Sequence, residues 1–104
     1  MINRVILSGI LVDEEVKLVK DANKPNFAMA EVTLLTNNGK KDEIKEVKIV
    51  LFNKLAIDLQ NKQETYKTHL CMYFGEVVYY HKTNETKIKI NEPIQVLASV
   101  GDKI

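Results

Sequence analysis

Alternation of apolar and polar residues at a period of two dominates the first third of this chain, returns strictly at Lys87–Ile90, and narrows the possible folds more than any other feature. Asn3, Val5 and Leu7 share one side of an extended strand, and Arg4, Ile6 and Ser8 share the other. A first strand is predicted over 2–11. Gly9 lies inside it, where glycine is unfavourable unless the strand bends, as strands do at the corners of small barrels.

A short strand over 15–20 is followed by Asp21-Ala22-Asn23-Lys24-Pro25-Asn26, a cluster of turn-forming residues that reverses the chain. A long strand is predicted over 27–37. Asn38-Gly39-Lys40-Lys41-Asp42-Glu43 contains an Asn-Gly pair suited to positive φ, so it reads as a solvated hairpin loop leading into a strand over 44–53. Those two strands should pair antiparallel. Only Lys54–Lys62 has helical spacing, with Leu55, Ala56 and Leu59 at i, i+1 and i+4. His69–Tyr80 is rich in aromatic and β-branched residues, Thr83-Asn84-Glu85-Thr86 turns, and the last strand covers 94–100. Five main strands with one short helix between the third and fourth match an all-β, five-stranded oligonucleotide-binding (OB-fold) barrel. A small α+β sheet is the alternative with the same pattern.

At 104 residues, 45% apolar and 28% charged, the chain is sized for one domain, 1–104, with one core. Its net charge of +1 is too small for strong overall attraction to nucleic acid, so such binding must come from local lysine clusters. Cys71 has no partner for an internal disulfide, which points to a reduced thiol and a cytoplasmic location. Val5–Val12 is broken by Ser8 and Gly9 and followed by Asp13-Glu14-Glu15, so it reads as a strand and not a signal peptide. No run approaches the ~18 apolar residues of a membrane span.

Covalent chemistry finds no support. His69 and Cys71 would share a strand face, but two ligands make no metal site, and His81 lies ten residues beyond Cys71 without a carboxylate cluster. Ser8 and Ser99 are the only serines, and neither sits in a Gly-x-Ser-x-Gly elbow. Gly9, Gly39, Gly75 and Gly101 are too dispersed to cradle a phosphate, and Asp13-Glu14-Glu15 reads as a solvated turn. The expectation is a binding protein, not an enzyme, with no catalytic residues, metal, cofactor, membrane partner or small-molecule substrate.

Proteins that hold single strands without reading sequence combine a basic track with flat aromatics, each stacked base contributing ~1–3 kcal/mol. Taking Val47, Ile49 and Leu51 as inward leaves Glu46, Lys48, Val50 and Phe52 on the outer face. Tyr80 shares a face with Lys82 by alternation from Val78, whereas Tyr79 points the other way. His81, Lys82, Lys87 and Lys89 make the most basic neighbourhood, interrupted by Glu85. Lys87 and Lys89 also suit a solvent-facing edge that merely prevents aggregation. Tyr66, Tyr73 and Phe74 read as core or interface residues, and Phe27 stays open between packing and stacking.

Five segments in order carry a family resemblance: Met1-Ile2-Asn3-Arg4-Val5-Ile6-Leu7-Ser8-Gly9, Asp13-x-Glu15-Val16-Lys17, Ala30-Glu31-Val32-Thr33-Leu34, Ile49-Val50-Leu51-Phe52-Asn53-Lys54-Leu55-Ala56, and Phe74-Gly75-Glu76-Val77. The chain resembles the bacterial single-stranded DNA-binding proteins. That resemblance implies the OB-fold barrel and a stacking platform at Phe52, with the remaining platform positions falling on Lys40, Glu46 and Lys82, none of them aromatic. Three platforms lost at the lower value remove roughly 3 kcal/mol, about a hundredfold in affinity, which Lys40 and Lys82 offset if they contact phosphate instead.

The nucleic-acid-binding residues expected are therefore Lys40, Lys48, Phe52, Tyr80, Lys82, Lys87 and Lys89. The expected function is single-stranded DNA binding in replication, recombination or repair. The resemblance further implies homodimers or homotetramers. Members of the family usually end in an acidic tail that recruits replication proteins, whereas this sequence ends in Gly101-Asp102-Lys103-Ile104, so recruitment by that route is not expected. The alternatives are a tail-less accessory OB-fold module of the replication machinery that mainly contacts other proteins, and an RNA-binding OB-fold.

Overall fold

The computed structural model describes residues 3–37 and 44–100. In chain order these form β1 (Val5–Leu11), β2 (Val19–Asp21), β3 (Lys24–Asn37), β4 (Ile44–Phe52), α1 (Asn53–Asn61), α2 (Gln63–Thr68), β5 (His69–Tyr80), β6 (Glu85–Ile90) and β7 (Gln95–Ser99). Among the described residues no helix is long and apolar enough to cross a membrane. The hairpin loop expected at 38–43, including Lys40, falls outside the described residues.

Five strands pair in a ring. β1 pairs antiparallel with β3, β3 with β4, β4 parallel with β6, β6 antiparallel with β5, and β5 antiparallel with β1. The ladder thus closes on itself as an OB-fold barrel, with β2 added along β3 and β7 along β5. Closure leaves each of the five ring strands with at least two neighbours, which removes the aggregation-prone free edges of an open sheet. The alternation seen in the sequence explains which side faces in. Ala28, Ala30, Val32 and Leu34 of β3, Ile49 and Leu51 of β4, and Cys71 and Tyr73 of β5 are all buried. They join Leu11, Val16, Ala56, Leu59, Tyr66 and Ile90, most of them in one apolar cluster.

Gly9 is where β1 changes partners, pairing with Cys71 of β5 and also with Thr36 of β3. A Cβ there would lie 2.7 Å from the Leu35 carbonyl oxygen, so only glycine lets the two strands approach. The bend expected from the sequence is therefore the corner of the barrel. Upstream, the Asn3 amide extends β1 by one rung: Nδ2 donates to the Val77 carbonyl at 2.8 Å, and Oδ1 accepts the Val77 N–H at 3.0 Å.

The single helix expected over 54–62 is two helices, α1 and α2, meeting at Lys62. Helical spacing in the second is carried by only one buried apolar residue, Tyr66, too few for a periodic signal. Both helices are tied to the incoming chain through Val16. Gln63 Oε1 accepts the Val16 N–H at 2.9 Å, and Gln60 Nε2 donates to the Val16 carbonyl at 3.3 Å.

Candidate nucleic-acid interface

The outer side of β3, β4, β6 and β5 forms a continuous face whose composition follows from strand register. Met29 pairs with Phe52, Glu31 with Val50, and Thr33 with Lys48. Val50 pairs in turn with Lys89, Glu76 with Lys89, Val78 with Lys87, and Tyr80 with Glu85. Residues directly opposite one another share a face, so the outward parity expected for Lys48, Val50 and Phe52 holds. Val50 is an exception in exposure only, being 1% exposed although it lies outside the core cluster.

Two clefts lie on this face. The first, about 560 Å³, is walled by Phe52, Tyr79, Tyr80, His81, Lys82 and Lys87, with Met29, Val50 and Thr83 also lining it. The second, about 400 Å³, is lined among others by Glu31, Glu46, Lys48, Val50, Glu85 and Lys87. Their linings share Val50 and Lys87.

Phe52 ends β4, and Asn53, at φ 52°, turns the chain there into α1. Asparagine tolerates this left-handed conformation better than most residues, and its Oδ1 also accepts the Ala28 N–H at 3.1 Å. The turn thereby fixes Phe52 beside the start of β3. Its ring centroid stands 6.2 Å from that of Phe27 with the planes tilted by 54°. Lys89 Nζ lies 5.4 Å from the Phe52 centroid, and Lys24 Nζ lies 6.0 Å from that of Phe27. These distances are those of cation–π contacts. The choice left open for Phe27 is resolved in favour of a half-buried place beside Phe52 on this face, a neighbour that sequence alone could not supply because 25 residues separate them.

Tyr80 ends β5, and the following turn again uses an asparagine with positive φ, Asn84 at 54°. Asn84 Oδ1 accepts the Tyr79 hydroxyl at 2.8 Å, and the Tyr79 ring meets that of His81 edge-on at 4.8 Å. Tyr79 alternates out of register with Tyr80 as expected, yet the turn brings it to the rim of the same cleft. Burial, opposed by the nearby Lys87 ammonium, pushes the Tyr80 hydroxyl above its ordinary pKa. Lys87 Nζ stands 5.9 Å from the Tyr80 ring centroid.

The candidate lysines differ in how they are held. Lys48 and Lys82 are exposed and make no ion pair among the described residues. Lys87 is half-buried and donates to Glu31 Oε2 at 2.8 Å, with Glu85 Oε2 at 3.7 Å. The hydrogen bond to Glu31 raises the Lys87 pKa further, so the ammonium stays charged well into alkaline conditions. Five lysines, Lys24, Lys48, Lys82, Lys87 and Lys89, thus share the region with four outward carboxylates, Glu31, Glu46, Glu76 and Glu85. Local charge is close to balanced. Six of the seven expected binding residues come together on this face, and the seventh, Lys40, lies outside the described residues.

His69 and Cys71, weighed as metal ligands, are engaged locally. His69 Nδ1 lies 3.0 Å from the Thr65 carbonyl oxygen, and the buried Cys71 thiol donates to the His69 carbonyl at 3.5 Å. Among the described residues no group of three or more His, Cys, Asp and Glu could hold a metal ion.

A closed barrel of this strand order, with an aromatic and lysine-bearing outer face, has the OB-fold of single-stranded DNA-binding domains. Comparison with solved structures bears this out. The chain is similar to the single-stranded DNA-binding domain of a Synechococcus protein, at TM-score 0.66 and 16% identity, over 91% of this chain and 96% of that one. It is similar to the mitochondrial single-stranded DNA-binding protein Rim1 from S. cerevisiae, at TM-score 0.66 and 16% identity, over 92% and 96%. It is likewise similar to the N-terminal domain of PriB from Thermoanaerobacter tencongensis, a dimeric structure, at TM-score 0.65 and 13% identity, over 93% and 98%. No protein-family model and no curated protein matches the sequence.

Proposed function

We propose that this protein binds single-stranded DNA along the outer face of β3, β4, β6 and β5 and carries out no covalent chemistry. The observation that carries the reading is the first cleft, where Phe52 and Tyr80 offer aromatic surface next to Lys82, Lys87 and Lys89. Flat rings accept any base and ammonium groups accept any phosphate, so such a face holds unpaired strands with little sequence preference. The structural neighbours that bind single-stranded DNA support the reading. Service in replication, recombination or repair is the corresponding role.

Self-association belongs to the same proposal. Ile6 of β1, a strand outside the proposed face, is 56% exposed and Ile44 at the start of β4 is 60% exposed, and the PriB neighbour is dimeric. The four outward carboxylates favour a second reading, an accessory module whose main ligand is another protein. Titrating ¹⁵N-labelled protein with oligothymidine separates the two. The DNA-binding reading expects shifts concentrated at Lys48, Val50, Phe52, Tyr80 and Lys82, with α1 undisturbed. Shifts confined to the Ile6 side, or none, would reject the proposed face.

A further inference from the structure

The Lys87–Glu31 ion pair spans the candidate face from one strand to another. Lys87 belongs to β6 and Glu31 to β3, with β4 running between them. The residue they meet over is Val50, whose register partners are Glu31 on one side and Lys89 on the other. Val50 and Lys87 line both clefts, so the ion pair stands as a bar between the aromatic cleft and the Lys48 cleft. Val50, 1% exposed, lies on this outward face among Glu31, Phe52 and Lys87 of the two clefts.

A strand that stacks on Phe52 and Tyr80 and continues toward Lys48 has to cross that bar. Its phosphates are anions of the same sign as Glu31, and both compete for one ammonium. Lys87 and Glu31 keep 25% and 39% of their side-chain surface exposed, so the pair is open to solvent and of modest strength. A phosphate can therefore displace the carboxylate, at reduced net gain. Resting on the single-strand reading above, we propose that Glu31 is a built-in competitor for phosphate at Lys87, which weakens binding and flattens its salt dependence. Glu85, 3.7 Å from the same ammonium, acts in the same direction. A merely structural cross-strand pair would influence stability but not the salt dependence of binding.

The test is a double-mutant cycle of Glu31→Gln and Lys87→Gln, read by oligothymidine affinity across a range of salt. Glu31→Gln keeps the side-chain shape and should bind about two- to fivefold tighter than wild type, the range set by releasing one exposed ion pair. Its slope of log K against log salt should steepen by up to about 0.7, because the Lys87 ammonium is no longer neutralised by Glu31 before a phosphate reaches it. Both gains should vanish when Lys87→Gln is added. Lys87→Gln alone should weaken binding less than Lys82→Gln, because its ammonium is already partly neutralised. Wild-type binding with no gain in Glu31→Gln, or an equal gain without Lys87, overturns the competitor role and leaves the DNA-binding reading intact. Absence of binding by every variant overturns both, whereas binding by Glu31→Gln alone supports both.

Discussion

Truncating Phe52 separates binding from folding. The ring stands 6.2 Å from Phe27 and 5.4 Å from Lys89 Nζ, so in the free protein Phe52→Ala loses a tilted aromatic pair and a cation–π contact. Those are typically ~0.5–1.5 and ~0.5–1 kcal/mol, and the lost apolar burial of the half-buried ring adds to them, so stability should fall by at least about 1–2.5 kcal/mol. For a domain of this size each kcal/mol shifts the melting temperature by roughly 4–8 °C. Binding loses the stacking platform as well, ~1–3 kcal/mol or roughly 5- to 150-fold in affinity. Phe52→Leu sharpens the comparison, because it keeps apolar bulk over Val50 and lacks the flat face on which a base stacks. It should retain more of the stability and still lose most of the affinity. Neither variant removes a lysine, so the salt slope should stay at the wild-type value. Fluorescence anisotropy with labelled oligothymidine, paired with thermal unfolding of the same samples, reads all three quantities. Wild-type affinity in folded Phe52→Ala and Phe52→Leu would refute stacking at this position.

Lys82→Gln should weaken oligothymidine binding and lower the salt slope by ~0.7, measured by the same titration at four salt concentrations; an unchanged slope would remove Lys82 from the phosphate track. Gly75→Ala should destabilise the fold by at least about 3 kcal/mol in urea unfolding, because the new Cβ would lie 2.3 Å from the Lys89 carbonyl oxygen, a backbone atom held by the β5–β6 ladder. A cost under ~1 kcal/mol would show that this ladder yields easily. Burial raises the pKa values of the Tyr73 and Tyr66 hydroxyls above their ordinary value, and the nearby Cys71 thiol adds to both. Since the unfolded tyrosines ionise near 10 and the folded ones later, their contribution is intact below that pH and lost above it, at up to ~1.4 kcal/mol per pH unit per group. Urea unfolding from pH 9 to 11 should show that decline, and Tyr73→Phe should make it shallower.

Much of the barrel was legible because its strands alternate. His69–Tyr80 was bounded correctly, and the parity of β4 followed from Val47, Ile49 and Leu51. Gly9 could be read as a corner because a glycine inside an alternating strand has few other uses. Other features depend on contacts between distant residues. α2 shows a single buried apolar residue, so the periodicity gave no sign of a second helix. Phe27 is brought to Phe52 by the β3–β4 register and the Asn53 turn, and Tyr79 to the rim of the cleft by the Asn84 turn. The sequence placed Lys87 and Lys89 in a basic neighbourhood, but not the ion pair with Glu31, which lies 56 residues earlier in the chain. That contact changes the meaning of the lysine cluster. Much of its positive charge is met by carboxylates of the same face, leaving stacking and the exposed Lys48 and Lys82 as the main attractions for a strand.

The most direct measurement of single-strand binding is the affinity for labelled oligothymidine beside an equal-length duplex and oligouridine, by fluorescence anisotropy at low and moderate salt. Oligothymidine binding well above that of duplex and no weaker than that of oligouridine, weakening as salt rises, is the expected result. Equal binding to duplex, preference for oligouridine, or no binding at low salt would contradict it, and the last would point to a protein ligand for this face.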